Sequence, residues 1–179
     1  MDLKAMRSDL ARRSKKGLSF IMASILLWTG ILVVWLLPVE NTLTRNLLTF
    51  FCTAPLMPLA FLLSKVLKAE FSAKGNPLNE LGIIFSLNQL LYILIAMWVY
   101  AAAPTKMVMI LGMIFGAHLL PFAWLYQSPA YFIMSIIIPF TMLIVGHNLP
   151  EQRVFVLAGI MICLEAIFAV WLGVEMRSQ

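Results

Sequence analysis

The chain has 179 residues, of which 62% are hydrophobic and 12% are charged, and its mean hydropathy is +0.94. A water-soluble domain needs far more charged side chains to cover its surface, so this composition excludes one. The formal net charge of +5 comes from basic residues at the ends of apolar segments. That distribution does not form a basic folded face, so we predict a membrane protein without a nucleic-acid partner.

Residues 1–17 form a basic arm ahead of the first apolar segment. Leu3, Met6 and Leu10 recur at helical spacing, which predicts a short amphipathic helix. Such a helix can lie on an anionic inner leaflet, where each nearby cation contributes about 1 kcal/mol. The alternative is a solvated signal that only orients the first span. The cations expected to meet anionic lipids are Lys4, Arg7, Arg12, Arg13, Lys15 and Lys16.

Six apolar segments follow the arm. Each is long enough to cross a hydrocarbon core of roughly 30 Å, which takes a helix of about 20 residues. The predicted fold is therefore all-α, a polytopic bundle of six transmembrane helices over residues 18–175, with a tail at 176–179. The spans are predicted at 18–37, 46–64, 81–102, 106–126, 130–147 and 153–174.

The positions of Lys and Arg predict the orientation of this bundle. With the N-terminus in the cytoplasm, ten of the 13 basic residues lie inside. Short cytoplasmic loops carry the excess of basic residues in membrane proteins, so both termini are predicted to be cytoplasmic. The three basic residues left outside are Arg45, Lys106 and Arg153.

A layer of polar side chains crosses three of the predicted spans. At a rise of 1.5 Å per residue, Asn88, His118 and Glu165 all lie roughly 12 Å above the inner interface. A charged group at such depth is costly unless it has a partner or a cavity. We therefore predict one shared site, whose members are Glu165, His118, Asn88, Gln89 and Tyr92.

Two interpretations of this layer stay open. In the first, Glu165 and His118 share or relay a proton beside a pocket lined by Asn88 and Gln89. In the second, the hydrogen bonds of Glu165 have only a structural role and hold spans three, four and six together. A metal site would need three or four ligands at one depth, and His118 and His147 lie at different depths. No metal and no cofactor is predicted.

Prolines give the two halves of the chain a weak similarity. Spans one to three and spans four to six would run in opposite directions, as the members of an inverted repeat do. Prolines interrupt the second span of each half, at Pro55 and Pro58 and at Pro139. Helix breaks at matching positions are where transporters build midplane sites from freed backbone groups.

Gly112 and Gly116 form a GxxxG motif in the fourth span. Such a motif is typical of close helix packing in membranes. It predicts either a homodimer through this face or close packing inside the bundle.

Three stretches of the chain carry a family resemblance. They are PLMPLA at 55–60, NPL at 76–78 running into NQLLY at 88–92, and KMVM at 106–109 with FGAHLLP at 115–121 and WLY at 124–126. Together they resemble a bacterial family of small multi-pass membrane proteins classed as a domain of unknown function. The resemblance covers roughly residues 15–175 and implies a bacterial inner-membrane location. It implies no catalytic or binding residues.

Three functions are compatible with these patterns. The favoured one is a small-solute transporter or permease-like protein, proton-coupled through Glu165 and His118. The second is an intramembrane enzyme acting on a lipid or isoprenoid, with the same two residues as base and acid. The third is a non-catalytic membrane scaffold or sensor. The patterns favour a function that is not enzymatic.

Overall fold

The computed structural model describes residues 2–177; Met1 of the predicted arm and residues 178–179 of the predicted tail lie outside this part. Within it the chain is helical, without strands. Six helical segments are long and apolar enough to cross a membrane, which confirms the predicted fold class. These spans one to six are Lys15–Leu36, Thr42–Val66, Leu78–Ala102, Pro104–Leu125, Pro129–Asn148 and Glu151–Arg177.

Two of the six spans are each broken into two helices. Span two breaks at Pro55 and span four breaks at Leu119, ahead of Pro121. A proline has no backbone N–H and its ring clashes with the preceding turn, so each break has a local cause. The helices in chain order are α1 (Leu3–Arg13), α2 (Leu18–Leu36), α3 (Thr42–Thr53), α4 (Leu56–Val66), α5 (Leu78–Ala102), α6 (Met107–His118), α7 (Leu120–Leu125), α8 (Pro129–Asn148) and α9 (Phe155–Arg177).

The other two prolines named as helix breaks have milder effects. Pro58 lies in the first turn of α4, where its missing N–H has no partner to lose. Pro139 lies inside α8, which continues through it as one helix. The interruption expected at Pro139 therefore amounts to a local loss of backbone hydrogen bonding. The inverted repeat remains a prediction.

The packed centre of the bundle consists of spans one, four, five and six. Helix α2 packs along α9, and α6 packs along α8. Span three is peripheral: the buried residues of α5 are Ala96 and Val99, and it packs chiefly against α6 and α7. Large apolar side chains such as Leu91, Leu94 and Trp98 face outward from α5. An outward apolar surface is what a bilayer accepts and water does not.

Gly112 and Gly116 face α8 of the same chain. A Cβ added at Gly116 would lie 2.5 Å from Cδ of Pro139 and 2.7 Å from Cγ2 of Ile138. A Cβ at Gly112 would lie 2.8 Å from Cγ of Met142. The two glycines therefore permit close contact within the bundle, which is the internal alternative for this motif. A homodimer remains a prediction that this packing does not require.

The N-terminal arm folds back onto the membrane domain instead of extending away from it. Helix α1 ends in a turn in which Lys15, Lys16 and Gly17 all have left-handed backbone angles, with φ of 49°, 50° and 69°. Non-glycine residues adopt this region rarely, so neighbouring contacts must hold the turn. Leu10 of α1 is 3% exposed. The amphipathic arm thus buries apolar residues against protein.

Candidate functional site

Glu165 lies where α9 packs against α2, and its side chain is completely buried. The hydroxyl of Ser24 on α2 donates a hydrogen bond of 2.8 Å to Oε1 of Glu165. The second oxygen, Oε2, is buried and finds no hydrogen-bond partner in the described part of the chain. Buried polar atoms are nearly always paired, so an unpaired carboxyl oxygen at this position calls for a chemical reason.

Trp28 lies one helical turn beyond Ser24 and faces the same carboxyl group. Its side chain is 4% exposed. Most membrane tryptophans lie at the headgroup level, so a tryptophan in mid-span is unusual. Here the indole lies beside the carboxyl group of Glu165 as a second side-chain donor next to Ser24. The polar site is therefore a small buried cluster between spans one and six.

His118 lies at the break of span four, as the last residue of α6. Its Nδ1 is hydrogen-bonded to the backbone carbonyl of Phe115. This carbonyl is free because Leu119 N–H turns to the carbonyl of Gly116 instead. A carbonyl oxygen only accepts, so Nδ1 is the donor in this contact. His118 thus caps a helix break, between the rings of Phe115 and Phe122.

The three predicted residues of span three lie on the peripheral helix α5. Asn88 is exposed and donates a hydrogen bond of 2.9 Å to the hydroxyl of Tyr92, one turn along. Gln89 is half-buried. The partner of Glu165 comes from span one, not from span three. The structure therefore brings Asn88 and Tyr92 together and joins Glu165 to Ser24, while His118 is bonded within its own helix.

Sequence reasoning missed Ser24 and Trp28 as neighbours of Glu165. A signal was present, because Ser24, Trp28, Ile31 and Trp35 recur at helical spacing along one face of α2, and all four are buried. A serine and a tryptophan in one stripe indicate a polar contact inside an apolar face. What periodicity does not contain is which of the other spans receives that face.

A second polar cluster, also missed, joins spans one, five and six at the end that carries the arm. Lys16 is 1% exposed, and its Nζ lies 2.8 Å from Oε2 of Glu175. The same carboxylate accepts hydrogen bonds of 2.6 Å from the hydroxyl of Ser128 and 2.9 Å from the N–H of Ala130. The hydroxyl of Tyr131 donates to the carbonyl of Lys16 at 2.8 Å. Lys16 is thus a structural residue, not a surface cation.

Ionic contacts hold the arm against the loop between spans two and three. Arg13 forms hydrogen bonds of 2.6 and 3.0 Å to the carboxylate of Glu70. Asn76 donates to Asp9 at 3.1 Å. The hydrogen bond from Asn76 lowers the pKa of Asp9, and the hydrogen bond from Arg13 lowers the pKa of Glu70. Both carboxylates are therefore ionised in the docked arm at neutral pH.

The cations that were expected to meet lipid divide into two sets. Arg13 and Lys16 are in ion pairs, Lys15 donates to the carbonyl of Leu67, and Arg7 lies over the ring of Trp124. Lys4 is exposed and the Arg12 side chain is 80% exposed. Contact of the arm with anionic lipids stays a prediction, and Lys4 and Arg12 are its most accessible cations.

In the range 2–177, no group of three or more His, Cys, Asp and Glu residues lies close enough to hold a metal ion. The polar groups of the site are the buried carboxyl group of Glu165 with Ser24, the capped break at His118, and the ion pair of Lys16 with Glu175.

Comparison with known proteins gives one match. Residues 3–175 match the model of a family described as "Family of unknown function (DUF7010)". No curated protein and no solved structure matches the chain.

Proposed function

The chain belongs to the DUF7010 family of unknown function, and we propose that it is a small-solute transporter in which Glu165 is the proton-binding group. The proposal places it in a bacterial inner membrane with both termini in the cytoplasm. The basic arm and the ten-to-three distribution of Lys and Arg support that orientation. The remaining support comes from the surroundings of Glu165 and from the broken spans.

One observation carries the proposal: Oε2 of Glu165 is buried without a hydrogen-bond partner among residues 2–177. An ionised carboxylate that is buried in apolar surroundings with one oxygen unpaired costs several kcal/mol. The protonated group carries no charge and so avoids most of this cost. The packed bundle is therefore the state that suits protonated Glu165, and release of the proton favours a bundle in which water or a cation reaches Oε2.

This preference gives a physical link between a proton and a conformational change. The contact between α2 and α9 must loosen for Oε2 to become hydrated, because Ser24 and Trp28 close the space around it. A ligand or proton shifts a conformational equilibrium by its differential affinity for the two states. Proton binding would thus favour closure of spans one and six, and proton loss would favour their separation.

The broken spans support transport over a purely structural role. Spans two and four each lose regular α-helical hydrogen bonding over a short stretch inside apolar sequence, around Pro55 and at Leu119. Backbone groups freed inside a membrane must be satisfied by protein or by a polar ligand. His118 satisfies one of them by capping the carbonyl of Phe115. We assign His118 this structural role at the break of span four, and Glu165 the role of proton-binding group.

An intramembrane enzyme acting on lipid is the second candidate, because an open apolar cleft of about 650 Å³ lies where span four ends and span five begins. Its walls include Leu120, Trp124 and Phe132, and its polar side chains are Gln127 and Ser128. Acid–base chemistry needs a titratable group within hydrogen-bond reach of the substrate. The cleft can hold an acyl chain, but the described residues that line it include no acidic, basic or histidine side chain for acid–base chemistry. We therefore rank transport first.

The test uses protein reconstituted in liposomes on a solid-supported membrane. An inward proton gradient is applied together with amino acids, sugars, carboxylates or organic cations, one class at a time, and charge movement is recorded. We expect current with at least one class, its loss in Glu165→Gln, and its retention in Glu40→Gln, which changes an exposed carboxylate outside the spans. Current that survives Glu165→Gln, or no current with any class, would overturn the proposal.

A further inference from the structure

A groove of about 1040 Å³ lies between the N-terminal arm and the end of span six. One wall is formed by α1, including Ser8 and Arg12, and the other by the last turn of α9, including Gly173 and Arg177. Lys15 lines the groove where the two walls meet. Small-molecule sites occupy about 300–1,000 Å³, so this groove is large enough for a charged headgroup and the upper part of its acyl chains.

The charge of the groove favours an anion. Arg12, Lys15 and Arg177 contribute three cations, and Asp9 is the carboxylate of the lining. Asp9 is already engaged by Asn76 and Arg13, so its charge is offset within the arm. The guanidinium of Arg12 touches Asp9 at 3.4 Å and is otherwise open to solvent. A planar guanidinium is well suited to bind a phosphate through two hydrogen bonds.

The groove is preformed by contacts that have nothing to do with its lining charge. The left-handed turn at Lys15, Lys16 and Gly17 sets the arm beside α9. The buried pair of Lys16 and Glu175 fixes that turn to the end of span six. A site whose walls are held in place loses less conformational entropy when it binds, so the same cations bind more tightly than on a free arm.

The position of the groove separates a lipid from a soluble anion. It lies at the membrane end of spans one and six, which is where headgroups of the adjacent leaflet stand. Gly173 leaves open space in the wall of the groove, since a Cβ at this residue would meet nothing within 4 Å in the described part of the chain. We propose that this groove is a binding site for an anionic phospholipid, with the phosphate at Arg12 and Arg177.

Phosphate chemistry alone would also admit a soluble phosphate ester, and the experiment distinguishes the two. Purified protein in neutral detergent is titrated with phosphatidylglycerol, with phosphatidylcholine, or with glycerol 3-phosphate, and its thermal unfolding is followed. We expect phosphatidylglycerol to raise the unfolding temperature by roughly 5 °C. We expect shifts below about 2 °C from the other two, because a ligand with little affinity for the folded protein adds little stability. An equal shift with glycerol 3-phosphate would overturn the assignment to lipid.

Two variants locate the effect in the groove. Arg12→Ala combined with Arg177→Ala removes the phosphate contacts, and Gly173→Leu fills the open space without changing any charge. Both should abolish the phosphatidylglycerol shift. The control is Lys68→Ala combined with Lys74→Ala, which removes two exposed cations of the neighbouring loop and should keep the shift. Retention of the full shift in Gly173→Leu would show that anionic lipid adsorbs on the basic surface and not in the groove.

Discussion

Ser24 in span one donates a 2.8 Å hydrogen bond to Glu165 in span six, and this contact joins the first and last membrane helices of the chain. Both side chains are buried, at 3% and 0% exposure. Helices in lipid gain no hydrophobic energy by associating, so polar contacts and close packing decide which helices pair. The pair thus joins two helices, and it leaves the second carboxyl oxygen of Glu165 without a hydrogen-bond partner among the described residues.

Removing the serine hydroxyl should destabilise the bundle. Ser24→Ala leaves Oε1 of Glu165 buried without its donor, which costs about 1–3 kcal/mol. The measurement is thermal or denaturant unfolding in detergent. Ser135→Ala is the matched control, since Ser135 is also buried in a span but donates to the carbonyl of Phe132 in its own helix, whose loss should cost little. Equal effects of the two variants would contradict a special role for Ser24.

The sequence was sufficient to predict the spans and the depth of Glu165, because apolar length and basic flanks are local properties. The residues that contact Glu165 could not be predicted from the sequence. Glu165 was expected beside His118 and Asn88 because all three lie at one depth, but depth does not determine which helix face meets which neighbour. That choice depends on side-chain shape along whole spans, such as the buried face of α2 that carries Ser24 and Trp28.

The break of span four shows a second limit. Pro121 could be read from the sequence as a helix breaker. His118, which was predicted as a site residue and instead bonds to the backbone at the break, lies almost one turn before it. From the sequence alone, a histidine inside a span indicates a functional group. The helix break, however, leaves a backbone carbonyl free beside it, and the histidine bonds to that carbonyl. The backbone carbonyl of Phe115 is a structural hydrogen-bond partner for the imidazole of His118, and only the backbone geometry reveals it.

Alanine at Gly116 should destabilise the protein, whereas alanine at Gly159 should not. The added Cβ at Gly116 would press on Pro139 at 2.5 Å and on Ile138, and overpacking of this kind costs about 1–3 kcal/mol. At Gly159 a Cβ meets nothing within 4 Å in the described chain, so Gly159→Ala should be neutral or stabilising by up to about 1 kcal/mol.

Unfolding temperature and size-exclusion mass together separate the two predictions made for the glycine motif. If the motif packs internally, Gly116→Ala lowers the unfolding temperature with no change in mass. If it forms a homodimer, the same substitution lowers the mass from dimer to monomer. Gly159→Ala serves as the reference for helix propensity in both measurements.

Acid should release the arm from the loop between spans two and three. The pKa values of Asp9 and Glu70 are lowered by Asn76 and Arg13, so their contribution is present above the ordinary values of 3.8 and 4.5. It is lost as pH falls below those values through the lowered ones. Hydrogen exchange of α1 should therefore accelerate below about pH 4, relative to that of the buried helix α2.

Glu70→Gln tests the origin of this acid sensitivity. The variant removes the charge that Arg13 binds but keeps a hydrogen-bond acceptor. Exchange in α1 should then be faster already at neutral pH and should depend less on acid. Glu80→Gln, at an exposed residue of the first turn of α5, is the matched control and should behave as the unchanged protein. An arm that stays protected down to pH 3 in every variant would contradict the ionic docking.

The buried pair of Lys16 and Glu175 should be the most sensitive ionic contact of the protein. Lys16→Met removes the buried ammonium group beside the carboxylate of Glu175, and breaking such a pair from one side typically costs about 3–5 kcal/mol. Arg13→Met, which breaks the solvent-screened contacts to Glu70 and Asp9, should cost much less, because water screens those pairs.

A double-mutant cycle measures the pair directly. Lys16→Met and Glu175→Gln are combined, and the free energies of unfolding of the four proteins are compared. The double variant should lose less free energy of unfolding than the two single variants lose together. The difference should exceed about 1 kcal/mol, because neither charge of the pair remains. The hydroxyl of Ser128 and the N–H of Ala130 still have an amide oxygen to bind. Additive losses would mean that Lys16 and Glu175 act independently, and that the left-handed turn is held by packing alone.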